Sequence, residues 1–453
     1  MIKAGKLVFL LTFFAFMVQS LIYFSESSDE LLAIPLVLIL GGIGAYFLSK
    51  DADQDDAEFQ TNIFFWAFSI RILFGIILYG WGLAELFGDE DSSGYVSGWN
   101  VVQSWYADGL DGVVSTTFNL VFDKQNAGQA LIWAVPTIFA GGPSRMIVSV
   151  TNSFFGAMLV VVIFRLARRI FDAPTARIAA ILVLFWPSII LLSASTQKEI
   201  LVIAFEWLIL YVLVRSRSGI TVRDGLFAIP AFLAVFIMRF YALYLLAAAA
   251  IFRFIISKPE FLVRNIAFGA VIVASLMIFL TSSGLVERDF DRIDRLSQSV
   301  EGWREGVASS TGSGVEIYSE FESTSVAIPV ATVYFFFAPF PWEAFSGSAR
   351  NAFGAIENIF IIVIILFGFP ALKIFFKDKF IEMAPIFAFC VLYAGMHIWG
   401  LSNVGLAWRH KQTVMPLFFM LVAVAITQRR AGLTLLANRR RSERTNLSII
   451  KAN

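Results

Sequence analysis

The chain is short of most of what builds a soluble enzyme. It has one cysteine, Cys390, in 453 residues, so no disulfide framework exists, and an apolar run on either side makes the thiol a small core residue. Its two histidines, His397 and His410, are too few for a histidine-based metal site. Charged residues make up 15%, and a net charge of +1 gives no reason to expect nucleic acid as a partner. There is no P-loop and no Gly-rich dinucleotide fingerprint, which argues against a nucleotide-activated substrate. What fills the chain instead is hydrocarbon: 58% hydrophobic residues, 48 of them Phe, with a mean hydropathy of +0.76. Such a composition belongs in a bilayer.

A hydrocarbon core of about 30 Å asks for roughly 17 to 25 apolar residues per helix. The sequence predicts helices near 6–24, 31–48, 61–87, 144–164, 176–193, 199–214, 224–238, 240–257, 262–281, 356–376, 380–401 and 412–428. The expected fold is therefore an all-α, polytopic transmembrane bundle of about 12 helices. Two shorter apolar stretches, 130–140 and 326–340, are bounded by Gly and Pro and read as re-entrant or interfacial segments.

Lysine and arginine set the expected orientation, because cytoplasmic loops are enriched in them. Arg165, Arg168, Arg169 and Arg177, then Arg215, Arg217 and Arg223, then Lys373, Lys377 and Lys379 fall on one side, together with a basic tail over 429–453. Both termini are thus expected in the cytoplasm, with 1–428 forming one multi-pass domain in the cell membrane. The acidic stretch Asp51 to Glu58 is an exception on the same side, and acidic residues carry little topological weight. Two loops face outward. The first, 88–129, opens with Asp89, Glu90 and Asp91, and its later part, Tyr95 to Val121, is suited to an amphipathic helix lying on the membrane. The second, 282–325, opens with closely spaced opposite charges that read as a solvated surface helix.

Ionisable groups inside lipid are costly, so each is a candidate for function. Arg71 and Glu206 lie mid-span and are expected to pair with each other as a structural ion pair. Near the outer surface stand Lys198, Arg239 with Tyr241, Arg350, and Arg409 with Lys411. Each is an interface anchor or a phosphate ligand taken alone; their recurrence on the side of the acidic loop favours a site. The turn Pro339-Phe340-Pro341-Trp342-Glu343 imposes irregular backbone near the surface, where Glu343 is placed to orient a cation or hydroxyl.

The layout resembles the GT-C superfamily of integral-membrane glycosyltransferases, which includes protein mannosyltransferases and aminoarabinose transferases. Gly88-Asp89-Glu90-Asp91-x-x-x-Tyr95 is similar to the acidic first-loop motif of that superfamily. Three further stretches resemble motifs of bacterial proteins of surface-polysaccharide synthesis. They are Trp186-Pro187-Ser188 to Gln197-Lys198-Glu199, Phe337 to Glu343 with Glu357-Asn358, and Asn403-x-Gly405-x-x-x-Arg409 with Pro416. The resemblance implies an inverting transfer from a polyprenyl-phosphate sugar donor to a lipid-linked or glycan acceptor. It implies a catalytic role for Asp89, Glu90 or Asp91, and substrate contacts for Tyr95, Lys198, Arg239, Tyr241, Glu343, Arg350, Arg409 and Lys411. A divalent cation, Mg or Mn, is the one cofactor implied, on Asp89 and Asp91. A polymerase or ligase of lipid-linked oligosaccharides is the alternative; a transporter ranks last, since no repeat is visible.

Overall fold

The computed structural model of the protein describes residues 4–22, 29–50, 54–87, 94–120, 128–215, 222–255, 324–343 and 349–452. These residues are helical, with no strand among them. In chain order the helices are α1 (Ala4–Ile22), α2 (Asp29–Leu48), α3 (Gln54–Gly75), α4 (Gly94–Phe118), α5 (Gln129–Ala140), α6 (Arg145–Ile170), α7 (Ala173–Leu184), α8 (Pro187–Ala194), α9 (Glu199–Arg215) and α10 (Val222–Ile255). They continue with α11 (Thr324–Phe337), α12 (Ala349–Gly368), α13 (Leu372–Asp378), α14 (Phe380–Trp399) and α15 (Val404–Ala452). Seven are long and apolar enough to cross a membrane, or eight if the bent pair α7 and α8 is one span. Three shorter apolar helices lie below spanning length: α5 and α11, in the stretches expected to be re-entrant or interfacial, and the Ala33–Leu48 part of α2, which was expected to span.

Three differences from the expected spans have local causes. The helix predicted over 176–193 is two helices meeting at 58°, because Pro187 has no amide hydrogen to continue the ladder and instead starts α8. The helices predicted over 224–238 and 240–257 form one element, α10, broken only at Arg239 (φ −157°, ψ 69°). The span predicted over 356–376 is α12 and α13 joined by a 3₁₀ turn at Phe369–Ala371. The span expected over 262–281 and the outer loop 282–325 lie outside the described residues.

Helix α6 is the axle of the first half, packed against α2, α3, α5, α7, α8 and α9. It starts cleanly because Ser144 accepts a hydrogen bond from Ile147 N at 3.2 Å, a side-chain cap worth about 1 kcal/mol. At its far end Arg168 Nε meets Asp56 Oδ2 at 2.8 Å and Arg165 Nε donates to Gln60 Oε1 at 2.5 Å. That pair explains the acidic exception in the sequence: part of the Asp51 to Glu58 stretch neutralises the basic end of α6. In the second half, α15 packs against α7, α11, α12 and α14. The expected amphipathic helix on the first loop is α4, which breaks at Gly109 (φ 57°), a left-handed backbone that suits glycine. Beyond the break Leu110, Val114 and Phe118 are exposed, as an interfacial helix requires.

Candidate functional site

The site grows from the four-residue link Ser195–Lys198 between α8 and α9, whose backbone is tied down by its surroundings. Asn152 of α6 donates from Nδ2 to Ser195 O (2.8 Å) and Gln197 O (2.9 Å), and its own Oδ1 accepts from Trp133 Nε1 at 3.0 Å. Ser149 Oγ donates to Ala194 O at 2.6 Å, and Thr196 N donates to Tyr79 Oη at 3.0 Å. Tyr79 sits in a π-helical turn, Ile76–Gly80, that follows α3. The backbone polar groups of this non-helical link are thereby satisfied, and the link is rigid.

That rigidity fixes Lys198 and Glu199. Lys198 Nζ donates to Met238 O at 3.4 Å, a carbonyl next to the break in α10. Glu199 Oε1 faces Arg409 Nη1 of α15 at 3.5 Å. Arg239, 3% exposed, donates from Nη1 to Tyr393 Oη of α14 at 2.7 Å, and Tyr393 Oη lies 3.0 Å from His410 Nδ1. His410 stacks on His397, ring centroids 3.8 Å apart, and Tyr241 lies edge-on to His397 at 5.9 Å. Burial pulls the Lys198 ammonium down to about 8, helped by the Arg239 and Arg409 charges and opposed by Glu199. Three cations from three separate chain segments thus converge, with Glu199 and the deeper Glu206 as the carboxylates beside them. Positive charge is in excess among these described residues, and such a centre favours an anionic ligand.

Below it lies a polar latch between the two halves of the bundle. Glu357 of α12 accepts from Ser188 N at 2.9 Å and from Ser188 Oγ, capping α8 from another helix. Its neighbour Asn358 donates to Phe337 O (2.8 Å) and Pro339 O (2.7 Å). Lys411 Nζ donates to Asn358 Oδ1 (2.6 Å), Ala338 O (3.0 Å) and Phe336 O (3.4 Å). Gln412 accepts from Trp186 Nε1 at 2.9 Å. Lys411 is therefore fully buried and held by the turn after α11, two residues along α15 from the Arg409 that faces the link.

The expected pairing of Arg71 with Glu206 does not occur. Arg71 donates from Nε to Ser193 Oγ (3.1 Å) and from Nη1 to Ala67 O (3.0 Å). The last turn of α8 offers it the negative end of a helix dipole, and Gly156 leaves the room: a Cβ there would stand 2.8 Å from Arg71 Nε. Glu206 lies beside Arg239 and the Thr413 hydroxyl instead.

Asp89, Glu90 and Asp91 lie outside the described residues, but both flanks are placed. Phe87 packs edge-on to Phe353 of α12 at 5.4 Å. Gly94 abuts the link so closely that a Cβ would stand 3.2 Å from Thr196 O. Tyr95 follows, carrying the Arg145 guanidinium 5.0 Å above its ring and packing on the cluster that contains Leu201, Val202 and Met238. Glu343 closes the 3₁₀ turn Pro341–Glu343 and Arg350 stands in the first turn of α12; their side chains lie outside the described residues. Among the described residues no group of three or more His, Cys, Asp or Glu side chains is arranged to hold a metal ion.

Sequence reasoning passed over Tyr393, His397 and His410, and over Asn152 and Tyr79. The spacing of Tyr393 and His397, four residues apart on one helical face, was the signal for the first pair. Asn152 and Tyr79 sit in apolar runs with no motif around them, and only the fold shows that they hold the link.

The family model described as dolichyl-phosphate-mannose-protein mannosyltransferase matches residues 126–283, about a third of the chain. The matched stretch includes α5 to α10 and with them Lys198, Glu199, Arg239 and Tyr241. No curated protein and no solved structure matches the chain. The family is one of the GT-C superfamily. The chain is similar to these membrane glycosyltransferases, and the match supports a multi-pass glycosyltransferase at that level.

Proposed function

We propose that the protein transfers a sugar from a polyprenyl-phosphate donor to a lipid-linked or cell-surface glycan acceptor on the extracytoplasmic side of the membrane. The observation that carries this reading is the convergence of Lys198, Arg239 and Arg409 around Glu199 at a rigid link. Arg supplies paired N–H donors to phosphate oxygens and Lys a point charge. The matched family name, a dolichyl-phosphate-mannose enzyme, is of the same donor class.

In the reaction the acceptor hydroxyl oxygen attacks the anomeric carbon, its proton passes to a carboxylate, and the bond from that carbon to the phosphate oxygen breaks. The electron pair of that bond leaves with the phosphate, whose growing charge the three cations stabilise. A single displacement inverts the anomeric configuration. Asp89, Glu90 and Asp91 supply the base. Asp91 is three residues before Gly94, a reach of about 10 Å at most, and Gly94 abuts Thr196 beside Lys198. Asp89 and Asp91 are also the hard oxygen ligands that would hold Mg or Mn, which would add positive charge at the phosphate. Tyr241, Tyr95, Glu343 and Arg350 complete the proposed substrate contacts.

The test is transfer by the purified chain in nanodiscs from synthetic polyprenyl-phosphate sugars, with single changes Asp89→Asn, Glu90→Gln and Asp91→Asn. One of the three should abolish transfer while leaving folding intact. A polymerase or ligase of lipid-linked oligosaccharides tolerates all three changes, and that outcome replaces the proposal.

A further inference from the structure

Arg239 stands where α10 breaks (φ −157°, ψ 69°), so no regular helical turn fixes the direction of its side chain. The residue is nonetheless buried, and a group that meets it belongs to another helix. Its Nη1 donates to Tyr393 Oη of α14 at 2.7 Å, along the contact between α10 and α14.

Tyr393 is built as a post. Its side chain is fully buried and packs against Phe389 and His397, with ring centroids 5.5 and 4.6 Å away. Close packing of a ring with few rotatable bonds holds the hydroxyl at one point. A phenol oxygen can accept from the guanidinium and donate its single proton to His410 Nδ1, 3.0 Å away. His410 is held in turn, stacked on His397 at 3.8 Å. It is the neighbour of Arg409 in α15, and close enough to feel the charges of Lys198, Arg239 and Arg409 alike. The run Arg239–Tyr393–His410 thus ties the arginine of α10 to the turn of α15 whose arginine faces Glu199.

A guanidinium is a planar fork of N–H donors, and its match to phosphate oxygens depends on the direction of that plane. With one N–H taken by Tyr393, the plane is set and the other donors keep a fixed direction. A neutral hydroxyl does this without cancelling the charge that an anionic ligand needs.

We propose that Tyr393, backed by His410, is the positioning residue of Arg239: it sets the guanidinium plane for the phosphate of the lipid-linked donor and acts on that phosphate through Arg239 alone. The inference rests on the donor reading proposed above.

A double-mutant cycle on the full chain in nanodiscs tests it, read as affinity for a polyprenyl phosphate without sugar, with Tyr393→Phe, Arg239→Gln and the two together. Tyr393→Phe keeps the ring and its packing and removes the acceptor. It should weaken binding about threefold to tenfold, the worth of one hydrogen bond. In the Arg239→Gln background the same change should have no further effect. His410→Phe keeps a ring on His397 and should weaken binding less, adding nothing to Tyr393→Phe; an additive loss overturns the part given to His410. In transfer assays Tyr393→Phe should raise the donor KM and leave the acceptor KM unchanged. A tyrosine that only supports the fold behaves otherwise. Its change lowers the melting temperature, weakens binding by the same factor in both backgrounds and shifts both KM values together. That result overturns the proposal, as does full affinity in Tyr393→Phe where Arg239→Gln weakens binding. If Arg239→Gln itself leaves affinity unchanged, the donor reading falls and the positioning role falls with it.

Discussion

The two ends of the bundle treat charge in opposite ways. At one end Arg168 and Asp56 meet at 2.8 Å with the arginine side chain 39% exposed, a matched pair in reach of water. At the other, Lys198, Arg239 and Arg409 gather around Glu199, whose side chain is 9% exposed, and the Arg409–Glu199 pair is longer, 3.5 Å. A pair that neutralises itself at a wet surface is an anchor. An enclosed group of cations, on a link held by Asn152, Ser149 and Tyr79, is costly for the fold, and in the proposed function that cost is offset by a ligand of the opposite sign.

That contrast is sharpened most by the acidic loop. Replacing the acting carboxylate among Asp89, Glu90 and Asp91 by its amide should lower the turnover of sugar transfer by about 10² to 10⁴, the usual size of general-base catalysis, with donor affinity nearly unchanged. Truncating the latch comes next. Glu357→Ala removes the cap of α8, leaving the buried Ser188 N–H and hydroxyl without their acceptor, and should destabilise the protein by about 1 to 3 kcal/mol, the cost of an unsatisfied buried donor. A thermal unfolding series in detergent measures it.

A smaller effect depends on pH. The Lys198 ammonium titrates near 8, so its positive charge is present below that pH and lost above it. The donor KM should therefore rise as pH passes about 8, and Lys198→Arg, whose guanidinium stays charged, should flatten the profile. Smallest of all, Arg168→Gln at the anchored end should cost about 0.2 to 1 kcal/mol, the range of exposed pairs, and leave transfer unchanged. A large loss of transfer there would erase the distinction between the ends.

Much of this was legible in the sequence because membrane helices obey one strong rule of length and hydropathy. Helices lie in the short stretches 130–140 and 326–340, which Gly and Pro delimit in the sequence, and a helix runs from Gly94 through most of the segment that starts at Tyr95. Lys198, Arg239, Tyr241 and Arg409 were picked out as cations and partners at helix ends, and the fold places them together. Arg71 and Glu206 were misjudged because opposite charges at similar depth invite pairing on paper. In the structure a helix terminus satisfies the first, and the break in α10 brings Arg239 to the second. Lys411 shows the same limit: its position by Arg409 suggested a shared role, but successive positions on a helix point about 100° apart, and two residues turn it toward the Ala338 carbonyl. Side-chain direction, not residue type, set Lys411 apart from the cations at the link.

In the proposed function the enclosed cations Lys198, Arg239 and Arg409 hold a lipid-borne phosphate. The most direct measurement is the affinity of the full chain in nanodiscs for a polyprenyl phosphate without sugar, compared across Arg409→Gln, Arg239→Gln and Arg168→Gln. Loss of a charge-assisted hydrogen bond is worth about 1.5 to 3 kcal/mol, so the first two changes should each weaken binding by roughly tenfold to a hundredfold, and the third should leave it unchanged. Equal affinity in all three variants and the parent chain would contradict the claim.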